Sequence, residues 1–337
     1  MRMEILSSVH AKNLVAWAAD KPSVVVLSAD LTGSTEIAEF KGAYPDRFFS
    51  MGIAEQNMIS FAAGLAREGY IPLVHTFAVF IYRQALNQIV SSVAYSNLPV
   101  KFFGFLPGIT TPGGATHQAI EDVAVMRAIP NITIFEPGDA TEVETILDPV
   151  LRTPGPVYVR MLRGEVPRIF PVEEPFATGR FRVLSEGDDL VLVTSGICTE
   201  EALRATPALL AAGLSIRHLH ISTHKPLDDP ALVGALKRSR YGVITMENHS
   251  VVGGLGSEIA ELIADNGIGA RLCRIGIRDT FAHGGSRAYL MREYGLDAAA
   301  LVTVVESFVG RKFGIMDADL GRVRIEPVHS LARAEAL

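Results

Sequence analysis

Gly52-Ile53-Ala54-Glu55-Gln56-Asn57-Met58 opens a stretch of small, mostly apolar residues that continues to about Arg67. The pattern predicts a helix with Glu55 in its first turn. Burying a carboxylate in such a helix is costly, because desolvation disfavours the charged form and favours the protonated, hydrogen-bonding one. Glu55 therefore points to chemistry with a partner outside its own helix.

Outward from this helix, short β-branched runs alternate with longer helical patterns. Residues 23–28, 71–77, 100–106, 132–135 and 156–161 read as strands separated by helices, the order of parallel strands joined by crossovers. The alternation breaks at RGEVPRIFPVEEPFATG, residues 163–179, whose three prolines and mixed charge predict a linker over 166–182. Beyond it, strands at 190–194, 215–221 and 241–247 enclose helices at 199–212 and 230–237. The expected fold class is α/β, with two consecutive parallel-sheet domains over 1–165 and 183–330.

The 337 residues, 48% hydrophobic, are enough for two buried cores. A formal net charge of -6 and the lack of a Lys/Arg cluster argue against nucleic acid or anionic membrane as a partner. Cys198 and Cys273 form neither a disulfide framework nor a metal pattern, which suits a reducing compartment. The start, MRMEILSSVHAKN, lacks an apolar signal region, and no apolar run approaches the ~18 residues of a membrane span. A cytoplasmic location is expected. Asp30 has no second ligand at metal spacing, so no metal site is expected from this chain.

Three segments at strand ends carry polar or aromatic groups suited to a ligand. Phe77 and Phe80 are three apart where ligands of open parallel sheets bind, and with Glu55 they can hold a flat heterocycle. Gly108 to Gln118, GITTPGGATHQ, is too rich in glycine for packed core. It brings His117 to the expected start of the following helix, where the helix dipole acts on an imidazole. Tyr158-Val159-Arg160-Met161-Leu162-Arg163-Gly164 places two guanidinium groups near a strand end, and their planar fork suits phosphate. The glycines of Val251-Val252-Gly253-Gly254-Leu255-Gly256-Ser257-Glu258 miss the dinucleotide-binding spacing and read as the entry to a helix.

Read together, SADL at 28–31, GIAEQNM at 52–58, TFAVF at 76–80, GGATHQAIEDVAVMRAIPN at 113–131 and VYVRMLRG at 157–164 resemble the transketolase family. They resemble most its split form, whose chain holds only the pyrimidine-binding and C-terminal domains. The resemblance implies thiamine diphosphate as cofactor, with Glu55 matching the glutamate that bonds N1′ of its aminopyrimidine and Phe77 and Phe80 matching the aromatics that wall that ring. Arg83 falls where the related deoxyxylulose-phosphate synthases keep an arginine and is placed with the cofactor residues. His117 matches a histidine that bonds oxygens of the transferred two-carbon unit, Arg160 a substrate-phosphate ligand, and Ser28 a serine for the acceptor phosphate. Glu55 and His117 are thus the expected catalytic residues.

The implied reaction moves a glycolaldehyde unit from a ketose phosphate to an aldose phosphate. The family's diphosphate and Mg²⁺ motif, GDG followed by a spaced Asn, does not occur in the sequence. Mg²⁺ is therefore expected mainly on an alpha partner subunit, in an α2β2 assembly without which this chain is inactive. Gly113 stands where ordinary transketolases have an aspartate, Phe105 where they have a histidine, and Ser8 near an expected arginine. These departures point to an unusual donor such as apulose 4-phosphate, with glyceraldehyde 3-phosphate as acceptor. The alternatives are the beta subunit of a 2-oxoacid dehydrogenase and a deoxyxylulose-phosphate-synthase-like enzyme.

Overall fold

In the computed structural model, which describes residues 4–321, the chain forms two large sheets and a two-stranded one. The first has seven strands in the order Thr223–Lys225, Thr133–Phe135, Val157–Met161, Lys101–Phe105, Ile71–Phe77, Val24–Ser28 and Phe48–Ser50. All its pairings are parallel except the edge strand Thr223–Lys225, which runs antiparallel to Thr133–Phe135. Val24–Ser28, Lys101–Phe105 and Val157–Met161 are buried along their whole length. That explains their near-continuous apolar sequences, since strands covered on both faces do not alternate.

The second sheet orders Leu272–Ile277, Gly242–Ser250, Leu190–Ser195, Ile216–Ile221 and Phe181–Ser185. Again only one edge, Phe181–Ser185, is antiparallel. The α/β class and the two parallel sheets follow the sequence reading. At the ends of the expected linker, Glu165–Pro167 pairs antiparallel with Ile5–Ser7, and Phe181 joins the second sheet. Residues 322–330 of the expected second domain lie outside the described residues.

The two domains meet across a polar seam. Arg160, at the end of the first sheet, bonds the carboxylates of Asp122 (2.8 Å) and Glu136 and the Asn248 carbonyl (3.1 Å). Glu136 in turn accepts from His224 Nε2 at 2.7 Å, and His224 Nδ1 faces Glu258 at 3.1 Å. Each of these charged side chains is almost fully buried. Burial alone would push the Glu136 carboxyl up, but Arg160 and His224 outweigh it and hold it below the usual carboxylate range. Burial pulls His224 down, yet Glu258 and then Glu136 prevail and raise it to about 10.

Candidate active site

Because strands Val24–Ser28, Phe48–Ser50, Ile71–Phe77, Lys101–Phe105 and Val157–Met161 run parallel, their C-terminal ends share one edge of the sheet. Ligands of open α/β sheets bind there. Phe77 ends one of these strands, and Glu55, Phe80, His117 and Arg163 follow such ends in the chain.

Glu55 is the first residue of the helix Glu55–Arg67 and is 8% exposed. Among the described residues none hydrogen-bonds or pairs with its carboxylate. This helix packs on Ala78–Gln88, the helix that carries Phe80, and Gln56 Nε2 donates across to the Gln84 carbonyl at 3.0 Å. The rings of buried Phe77 and half-buried Phe80 are 5.7 Å apart and inclined by 26°. A nearly buried carboxylate without a partner and a pair of near-parallel rings fit a flat nitrogen heterocycle, which offers the carboxyl a ring nitrogen and the rings a face.

His117 stands edge-on to both rings, 6.2 Å from Phe77 and 5.4 Å from Phe80. It is not at a helix start as expected: it sits in a turn closed by its N–H to the Gly114 carbonyl (2.9 Å), and the next helix begins at Asp122. Thr116 Oγ1 lies 2.9 Å from its Nδ1. Arg83, expected at the cofactor, instead grips this loop. Its guanidinium donates to Glu121 (2.8 Å), the Ala115 carbonyl (2.8 Å) and the Gln118 carbonyl (3.4 Å).

Two other expected site residues are buried. The Arg160 guanidinium is 1% exposed and bonds two carboxylates and two carbonyls. Ser28, the last residue of its strand, is fully buried, and its Oγ accepts the Leu31 N–H. The structure instead brings Arg163 and Ser34 together, the former's Nη1 donating to the latter's carbonyl at 2.6 Å. Arg163 lies 5.9 Å from the Phe77 ring centroid and lines a cleft of about 540 Å³ between the domains. Arg160 lies inside Val157–Met161, whereas Arg163 is the first arginine past it.

Among the described residues, no group of three or more His, Cys, Asp or Glu is arranged to hold a metal ion, and no helix is long and apolar enough to cross a membrane.

Residues 6–168 match the model of the transketolase pyrimidine binding domain and residues 179–301 that of the transketolase C-terminal domain. A 6-deoxy-6-sulfo-D-fructose transketolase subunit of Clostridium sp. (strain MSTE9) is 37% identical over 91% of this chain and 95% of its own. One of the subunits of an apulose-4-phosphate transketolase from Actinobacillus succinogenes is 34% identical over 90% and 98%. The solved structure of a split gene transketolase, an inactive beta4 tetramer, is 39% identical with a TM-score of 0.80, covering 90% of this chain and 97% of that one. The chain belongs to the transketolase family and carries its pyrimidine-binding and C-terminal domains in the manner of the split enzymes.

Proposed function

We propose that this chain is the beta subunit of a two-chain, thiamine-diphosphate-dependent transketolase that moves a glycolaldehyde unit from a ketose phosphate to an aldose phosphate. The observation that carries this reading is Glu55, a nearly buried carboxylate without a partner, on a helix packed against the one that carries Phe80. Thiamine diphosphate, when bound, supplies a nucleophilic carbon and an electron sink for cleaving the bond beside a ketose carbonyl. Glu55 would hold the aminopyrimidine through a ring nitrogen and keep a proton there, with Phe77 and Phe80 as walls for the ring. His117 donates to, or accepts from, the oxygens of the two-carbon unit. Arg163, which lines the cleft, meets the terminal anionic group of the sugar.

The diphosphate and Mg²⁺ fall mainly to an alpha subunit, in an α2β2 assembly in the cytoplasm. The lack of a GDG motif in this sequence and the inactive beta-only tetramer of a relative support that division. The donor proposed is a ketose with a terminal anion, apulose 4-phosphate first, with glyceraldehyde 3-phosphate as acceptor. Gly113, which leaves the wall beside His117 without a polar side chain, supports a donor unlike that of ordinary transketolases. The test is reconstitution with a diphosphate-binding chain, cofactor and Mg²⁺, assayed with xylulose 5-phosphate, apulose 4-phosphate and 6-deoxy-6-sulfofructose. Turnover by this polypeptide alone overturns the division of labour, and strong preference for xylulose 5-phosphate overturns the donor.

A further inference from the structure

The loop that presents His117 is fastened at several points to the second domain. At its start, Asn248 in the strand Gly242–Ser250 accepts the Ile109 N–H at Oδ1 (2.9 Å) and donates from Nδ2 to the Pro107 carbonyl (3.0 Å). Between these two, Gly108 has φ of +59°, and a Cβ there would run into the Asn248 amide. At its end, Gln118 Nε2 donates to the His283 carbonyl (3.1 Å) and to the Thr111 carbonyl (3.3 Å). The Ser250 N–H donates to the Ile120 carbonyl at 2.7 Å.

The 283–284 segment is itself held. Tyr294 Oη accepts the His283 N–H (3.1 Å) and lies 2.9 Å from its Nδ1. Gly284 lies so close to the loop that a Cβ on it would stand 2.8 Å from the Pro112 carbonyl oxygen. Surface loops are mobile unless their backbone polar groups find fixed partners. Here those partners are side chains and backbone of another domain, and Asn248, 1% exposed with both amide groups used, is satisfied in one register only.

We propose that Asn248 and Gln118 are positioning residues for His117, so that the second domain sets where the imidazole stands over Phe77 and Phe80. The proposal rests on the reading of His117 as the residue that faces substrate. It gives the second domain a part in ketol transfer beyond assembly.

Hydrogen exchange of the full chain, read by mass spectrometry over residues 107–118, tests the anchoring without any assay of activity. Asn248→Asp keeps size and acceptor but sets a carboxylate oxygen against the Pro107 carbonyl, and Gln118→Ala cuts the tie to His283. Each variant is expected to speed exchange in this loop about fivefold to tenfold, the worth of one hydrogen bond, with the strand Leu190–Ser195 unchanged. In complex with the diphosphate-binding chain, kcat is expected to fall about 100-fold, as for a catalytic group misplaced by about 1 Å, at an unaltered half-saturating concentration of thiamine diphosphate. Wild-type exchange in both variants overturns the proposal, as does faster exchange with unchanged kcat. If Asn248→Asp does not fold, Gln118→Ala alone decides. Absence of ketol transfer from the unsubstituted complex overturns the functional reading and the proposal with it, whereas transfer with unchanged exchange overturns the proposal alone.

Discussion

Gly113 packs directly on His117: a Cβ at residue 113 would stand 2.9 Å from the Cβ and Cγ of the histidine and 3.1 Å from its Nδ1. The backbone of Gly113 is not in the left-handed region. The constraint is therefore the space taken by the imidazole. A side chain at 113 displaces His117, whose ring already meets Phe77 and Phe80 edge-on.

Gly113→Asp is the direct consequence. Position 113 is exposed, so the fold should tolerate the change, but the imidazole must move. In the reconstituted complex kcat is expected to fall about 100-fold, the cost of a small misplacement of a catalytic group, with little change in Tm. Wild-type turnover in this variant would show that His117 needs no fixed position.

Glu55→Gln keeps shape and hydrogen bonding but cannot exchange a proton with a ring nitrogen. Turnover is expected to drop at least about 100-fold, the lower end for loss of an acid–base group, while assembly with the partner, followed by sedimentation, is retained. Activity close to wild type would remove Glu55 from the chemistry.

Arg160→Met distinguishes a structural cation from a phosphate ligand. It leaves Asp122 buried without its cation and Glu136 with His224 alone, which costs about 3–5 kcal/mol for a broken buried pair. Urea unfolding of the chain measures this. If stability is unchanged and only KM for the sugar phosphate rises, the buried assignment is wrong.

The seam also has a pH signature. His224 is held at about 10 when folded, above its ordinary value of 6.5. A group raised on folding stabilises fully below its unfolded value, and that stabilisation is lost as pH climbs through the folded value. The stability difference between wild type and His224→Gln should thus be largest below about pH 6.5 and shrink toward pH 10. Unfolding curves at pH 6, 8 and 10 check it, and a gap that widens with pH contradicts the imidazolium between Glu136 and Glu258.

Much of this protein is written locally. The helix opening at Glu55, the parallel strands and the two-domain order are legible because side-chain period and strand length are properties of neighbouring residues. Glu55, Phe77, Phe80 and His117 each belong to a short motif at a strand end, which is why the sequence singles them out as candidates. What the sequence could not settle is which of two nearby, chemically equivalent residues reaches the cleft. Arg160 and Arg163 are three apart, yet the first is inside a fully buried strand between Asp122 and Glu136 and the second lies over Phe77. Nor did any local pattern reveal that Arg83 grips the His117 loop or that Asn248 holds its other end, since these bonds join residues 32 to 141 positions apart. The sequence by itself determined the kinds of groups and the strands that deliver them; tertiary structure decided which become buried counter-ions and which stay at the cleft, because burial and pairing depend on residues remote in the chain.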